Sequence, residues 1–162
     1  MISLENMRLT AKKRDQKGFT IVELLIVIVV IGILAALVVT TYAGIQGKAR
    51  DSKRQTDIQA LQTQIEAFYA SNNYYPALVD LNTPSWRTTN MKSLDAGALT
   101  DPSGSAATLS GSTATASGKA YGYVALNSAS ATCTTGDTTC ATYTLSAYLE
   151  SSKSVYTKAN LD

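Results

Sequence analysis

Two residue types that are present and one that is missing bound the chemistry of this 162-residue chain. Glu23 stands at the front of an unbroken apolar run, Leu24 to Val39, reading LLIVIVVIGILAALVV. On membrane-insertion scales a charge at the bilayer centre costs about 2.5–3.5 kcal/mol, and less near an interface. An anchor or a disposable signal has no use for such an acid, so Glu23 marks a site whose partner is a positive group at similar depth. Cys133 and Cys140 enclose Thr-Thr-Gly-Asp-Thr-Thr. That spacing is not the Cys-x-x-Cys of a redox pair, and two lone cysteines make a poor metal site. The chain has no histidine, which removes the commonest general base and metal ligand. Ser-His-Asp catalysis, Cys-His catalysis and His-containing zinc sites are thereby excluded. No clustered catalytic set is visible, so neither enzymatic activity nor a resident metal is expected.

The elements that position these residues differ sharply along the chain. The overall balance is 14 basic against 12 acidic residues, with 16% charged, below the roughly 25% usual for soluble domains. This near-neutrality gives no indication of nucleic-acid binding, which calls for a marked basic excess. The first 18 residues are basic, with Arg8, Lys12, Lys13, Arg14 and Lys17 against Glu5 and Asp15. From Phe19 to Val39 the chain is apolar apart from Thr20 and Glu23, and as a helix these residues span about 31 Å. That length matches a hydrocarbon core of about 30 Å, and no polar face is present to suit a soluble core helix. Three readings fit this stretch: a single-pass anchor, a secretory signal cut before Gly44, or an anchor whose helix also serves in an assembly. The first flank usually sets orientation, which places the N-terminus inside.

The sequence Lys17-Gly18-Phe19-Thr20-Ile21-Val22-Glu23-Leu24-Leu25-Ile26-Val27 resembles the processing site of type IV prepilins and type II secretion pseudopilins. The resemblance is close from Gly18 to about Val39. It implies cleavage between Gly18 and Phe19 by a membrane-embedded prepilin peptidase, N-methylation of Phe19, and a role for Glu23 as the filament-assembly glutamate. The new α-ammonium on Phe19 of one subunit would pair with Glu23 of another, because two poorly solvated charges tolerate burial only when paired. The partners implied are copies of the chain, other pilins, the peptidase, a membrane platform protein and, indirectly, an assembly ATPase. The implied location is the inner (cytoplasmic) membrane as a single-pass precursor, then an extracellular or cell-surface filament. Many pilins of this family carry a proline where this chain has Thr40. Gly44 and Gly47 follow instead, each weakening helix by about 1 kcal/mol relative to alanine.

Beyond the apolar run, Ile58, Leu61, Ile65 and Phe68 recur at steps of 3, 4 and 3, which predicts one buried face of a continuing helix. Lys53 and Asp57 form an i,i+4 pair, while Arg50 and Arg54 repel through the same geometry. The basic cluster at 48–54 reads as a solvated face partly offset by Asp51 and Asp57. Asn72-Asn73 and Pro76 stop the helix, and this helical half ending in Tyr75-Pro76 is similar to that of pseudopilins. Residues 77–118 read as loop, with turns at Pro84, over Leu94–Leu99 and at Asp101-Pro102. Within them, SGSAATLSGSTATASG at 103–118 reads as a mobile surface loop. Leu99-Thr100-Asp101-Pro102-Ser103-Gly104 resembles the Asp-Pro-Trp-Gly stretch of secretion pseudopilins. Alternation predicts strands at 120–126, 142–149 and 154–158, with Tyr121, Tyr123 and Ala125 on one face. Outside the cytoplasm Cys133 and Cys140 are expected to form a disulfide. Some pseudopilins bind calcium, and Asp95, Asp101, Asp137 and Asp162 are candidate ligands. The full motif is absent, so no cofactor is expected.

The expected architecture is α+β: a long N-terminal helix, with a membrane or filament-core half and an amphipathic half, packed on a small C-terminal antiparallel β-sheet. Its segments are a removable basic leader at 1–18, an apolar helix at 19–43 and its amphipathic continuation at 44–73. A loop-rich region at 74–118 and a sheet with the Cys133–Cys140 loop at 119–162 complete it. The function implied by the resemblance is a structural subunit of a type IV pilus-like filament. The alternatives are a pseudopilin of a secretion or competence system and, in a different class, a membrane-anchored binding module that does not polymerise.

Overall fold

A computed structural model describes residues 18–161; the expected leader, apart from Gly18, and Asp162 lie outside the described residues. The fold is α+β, with α1 (Ile21–Asn72), short helices α2 (Leu78–Asn82) and α3 (Pro84–Asn90), a 3-10 turn at Ala96–Leu99, and strands β1 (Gly122–Asn127), β2 (Cys140–Leu149) and β3 (Ser154–Ala159). The chain divides into two compact units, one ending at Thr40 and the other beginning at Thr41.

In the first unit every residue from Ile21 to Val39 is exposed, including Leu24, Leu25, Ile26, Val27, Ile28 and Ile31. This part of α1 is long and apolar enough to cross a membrane. The helix assignment continues through Gly44 and Gly47 to Asn72, so neither glycine breaks it despite its unfavourable propensity.

In the second unit α1 turns amphipathic. Ile58, Leu61 and Ile65 are completely buried and Phe68 is 4% exposed, as their spacing predicts. They share one core with Tyr75, Leu81, Leu99, Tyr121, Tyr123, Tyr143 and Leu145. The sheet is a fully antiparallel meander in the order β1-β2-β3. Tyr123 faces Leu145 and Ala125 faces Tyr143 across the β1–β2 pair, so alternate residues of both strands point into the core. The buried tyrosines keep their hydroxyls satisfied. Tyr121 donates to Asp57 at 2.7 Å, Tyr123 to the Pro76 carbonyl at 2.7 Å, and Tyr143 to Glu66 at 2.7 Å. Burial, followed by the adjacent carboxylate, raises the phenol pKa of both Tyr121 and Tyr143.

Three expectations are corrected. The stretch after Pro76 is partly helical: α2 and α3 occupy residues read as loop, while the 3-10 turn falls within the Leu94–Leu99 turn. Pro84 starts α3 rather than making a turn, because at the first helical position its missing N–H costs nothing. The Ser/Thr/Ala stretch at 103–118 is pinned to the sheet. Leu109 and Ala114 are each 4% exposed. The Ser110 N–H donates to the Tyr121 carbonyl, the Tyr123 N–H to the Ser110 carbonyl, and the Ala114 N–H to the buried Ser146 hydroxyl. Gly122 permits this approach, since a Cβ there would lie 2.2 Å from the Ser112 carbonyl oxygen. Finally, the 48–54 cluster is a solvated face only in part: Lys48 and Lys53 are exposed and Arg50 is half-buried, but Arg54 turns inward. Arg54 is 3% exposed, Asp51 7% and Asp57 6%, for reasons given below.

Candidate functional site

Thr20 precedes α1 and Glu23 lies in its first turn. The Thr20 hydroxyl accepts from the Glu23 N–H at 3.2 Å, and a Glu23 carboxylate oxygen accepts from the Thr20 N–H at 2.8 Å. The hydroxyl also donates to that oxygen at 2.7 Å. This reciprocal capping box satisfies two orphan donors of the helix start. It also holds a negative charge where the helix dipole favours one. Phe19, immediately outside the box, is 82% exposed. With Glu23, Leu24, Ile26 and Val27 it lines an apolar hollow of about 550 Å³. Glu23 is therefore an anion held at the tip of an exposed apolar helix, beside the Gly18–Phe19 bond. The Thr-x-x-Glu spacing was the available sequence signal for Thr20, a residue that the expectation for Glu23 alone omitted.

A second set of charged groups organises the base of the globular unit. Arg54 donates through Nε and Nη2 to the two Asp101 oxygens at 2.7 and 3.0 Å, the planar two-point fork that suits arginine to carboxylates. It also donates to Asp51 at 2.9 Å, to Glu150 at 2.7 Å and to the Ser103 hydroxyl at 2.9 Å. Asp51 accepts from the backbone N–H groups of Glu150 and Ser151. One guanidinium thus ties α1 to the 101–103 turn and to the β2–β3 turn. Arg50 also binds Glu150, so a shared carboxylate offsets the expected Arg50–Arg54 repulsion. Arg50 first, and then Arg54 and Ser103 against the opposing effect of burial, hold the Glu150 carboxyl down to about 2. Burial opposes ionisation of Asp51, but the Ser151 and Glu150 N–H groups outweigh it and leave that carboxyl below its ordinary value. The Lys53–Asp57 pair is present at 2.9 Å.

The structure joins Cys133 to Cys140 in a disulfide, with Cα atoms 6.0 Å apart. Of the aspartates considered for calcium, Asp162 lies outside the described residues, and the other three are each engaged by different groups. Asp101 is engaged by Arg54, Asp95 by the Gly97 N–H, and Asp137 by Thr139. Among the described residues, one group of three metal-ligand types lies close together, Cys133, Asp137 and Cys140, and both its sulfurs are bonded to each other.

The described residues thus hold an α+β unit and an exposed apolar helix tipped by a capped glutamate. Comparison with known proteins finds similarity in the N-terminal region. The prokaryotic N-terminal methylation motif matches residues 13–39. Over 65 residues the chain is 45% identical to the type II secretion system core protein G of Aeromonas hydrophila, covering 40% of this chain and 46% of that protein. It is 43% identical over 70 residues to the core protein G of Escherichia coli K12, covering 43% and 46%. It is 33% identical over 69 residues to the type IV major pilin protein PilA of Myxococcus xanthus, covering 43% and 31%. The N-terminal region therefore carries the prokaryotic N-terminal methylation motif and is similar to the corresponding region of type II secretion core proteins G and of a type IV major pilin. The matched regions span less than half the length of each of these relatives. No solved structure matches at a significant level.

Proposed function

We propose that this chain is a structural subunit of a type IV pilus-like helical filament. It is made as a single-pass precursor in the inner membrane with its N-terminus inside. Prepilin peptidase cuts after Gly18, and Phe19 becomes the N-methylated first residue. A membrane platform protein, driven indirectly by an assembly ATPase, then moves the subunit into a fibre of its own copies and other pilins. The role is mechanical and calls for no cofactor and no catalytic residue. The observation that carries this reading is the uniform exposure of Ile21–Val39 behind the capped Glu23. Lipid satisfies such a surface before assembly, and neighbouring helices satisfy it afterwards.

Apolar packing alone sets no axial register, because lipid is as apolar as the helices themselves. The Glu23 carboxylate supplies one by pairing with the Phe19 ammonium of a neighbour. Cleavage leaves the Thr20 N–H in place, so the capping box can hold the carboxylate in a fixed position while the pair forms.

A second reading, a pseudopilin of a secretion or competence system, is favoured by the core protein G relatives. Long surface fibres built mainly of this chain would decide for the pilus, and their absence in secreting cells for the pseudopilin. The decisive test of the shared mechanism is Glu23→Gln, followed by membrane fractionation and fibre yield. Normal insertion with assembly lost is expected, whereas a normal fibre yield refutes the charge pair. The mass of the mature N-terminal peptide tests processing. A methylated Phe19 supports it, while a chain starting at Met1 or Gly44 indicates an anchored or secreted module that does not polymerise.

A further inference from the structure

Arg87 is the second deeply buried arginine of the globular unit, 8% exposed, and its surroundings are unlike those of Arg54. Its Nη1 donates to the Leu81 carbonyl. Among the described residues no carboxylate pairs with it, and its Nε and Nη2 donate to no protein group. Arg87 lines a pocket of about 230 Å³ together with Lys92, Pro84, Met91, Leu94, Ala96 and Thr88, and among the described residues no buried side-chain nitrogen or oxygen is left without a partner. Nε and Nη2 form the edge of the guanidinium that Arg54 presents to both oxygens of Asp101. An unpaired charge this deep is costly, and Asp95, which lies in sequence between the lining residues Leu94 and Ala96, is engaged by the Gly97 N–H.

We propose that this pocket is a binding site for a carboxylate carried on a short apolar stem. The free edge of Arg87 matches the two oxygens of one carboxylate, and exposed Lys92 adds a second positive charge at the rim. Pro84, Met91, Leu94 and Ala96 offer an apolar wall to the stem. The volume lies below the roughly 300 Å³ at which pockets for drug-sized ligands begin, so the occupant is a small organic acid or a single acidic side chain. A phosphate would bring more charge and more acceptor oxygens than one guanidinium edge and an apolar wall can satisfy.

The test uses the full-length chain in neutral detergent, titrated with isovalerate and with uncharged isovaleramide. The Arg87 Nε–H and the Met91 amide are followed by NMR. Isovalerate should shift both saturably, and isovaleramide should shift neither. Arg87→Met should weaken the Met91 response at least about tenfold, the worth of a charge-assisted pair. Because that variant also loses the Leu81 contact, Ala96→Phe, which fills the pocket and keeps Arg87, serves as the second variant and should abolish the response. No saturable shift with isovalerate, an equal shift with isovaleramide, or a full response in Ala96→Phe overturns the proposal. The two sources of carboxylate are separated by chemical cross-linking of the same sample. If excess isovalerate lowers the yield of cross-linked copies, the natural occupant is an acidic side chain of another copy. An unchanged yield assigns the pocket to a free acid.

Discussion

Ile21–Val39 and Asp51–Phe68 belong to one helix, yet they solve opposite problems. In the first segment every side chain is exposed, and no face differs from another. In the second, Ile58, Leu61, Ile65 and Phe68 are buried while Gln59, Gln62 and Thr63 are hydrogen-bonded or solvated at the surface. A helix with one apolar stripe is completed by its own sheet. A helix apolar all round is completed only by something outside the chain, lipid or other copies. The difference separates self-sufficient folding from assembly within a single secondary-structure element, and substitutions in the two segments should therefore read out in different experiments.

The largest effect is expected at Arg54. Arg54→Met strands Asp101, whose side chain is 6% exposed, and leaves Asp51 without its cation. Breaking one side of a buried ion network costs about 3–5 kcal/mol. Trp86, the one tryptophan, packs against Phe68 with ring centroids 5.1 Å apart and reports on this unit. Denaturant unfolding followed by its fluorescence should show a loss of that size. A loss below about 1 kcal/mol would mean that the cluster is solvated after all.

Next comes a matched pair of leucines. Leu61→Ala removes a fully buried side chain and should cost about 2–5 kcal/mol. Leu25→Ala removes one that is 55% exposed and should leave the same unfolding transition within about 0.5 kcal/mol. Its effect belongs in fibre yield or membrane retention. Equal destabilisation by the two would erase the distinction between the segments.

A smaller, graded effect follows from Glu150. Its carboxyl sits at about 2 in the folded chain against an ordinary 4.5, and Asp51 is depressed as well. A carboxyl whose folded value is depressed binds more protons when unfolded, so its contribution is complete above pH about 4.5 and fades as pH falls toward 2. Unfolding midpoints measured across that window should decline in the wild type and decline less in Glu150→Gln. Parallel curves would remove Glu150 from the account.

The contrast also explains what the sequence made legible. The 3-4-3 spacing of Ile58, Leu61, Ile65 and Phe68 and the alternation of Tyr121, Tyr123 and Ala125 are local signals, and the structure follows both. The apolar run and the Gly18–Glu23 motif are local too. The fate of Arg54 is not: Asp101 and Glu150 lie 47 and 96 residues away, and only the tertiary fold reveals that this one member of an otherwise largely solvated cluster is enclosed. α2 and α3 are five and seven residues long, too short for a periodic pattern, and Pro84 suits a turn and a helix start equally. The order of 103–118 depends on the missing side chain at Gly122, a contact that composition does not encode. The Arg87 pocket combines both obstacles, since it needs a short helix and a long-range arrangement.

The smallest expected effect tests whether burial or mere proximity makes a charge pair matter. Lys53 contacts both oxygens of Asp57 at 2.9 Å, much as Arg54 contacts Asp101. However, the Lys53 side chain is 52% exposed, so water replaces it at little cost, and Tyr121 still donates to Asp57 from the core side. Lys53→Met should therefore cost only about 0.3–0.5 kcal/mol, the usual worth of an exposed i,i+4 helix pair, and less in high salt. A cost above about 1 kcal/mol, insensitive to salt, would show that Asp57 draws its stabilisation from Lys53 rather than from Tyr121. The ionic cluster at the base of the globular unit would then extend one turn further along α1 than the Arg54 network.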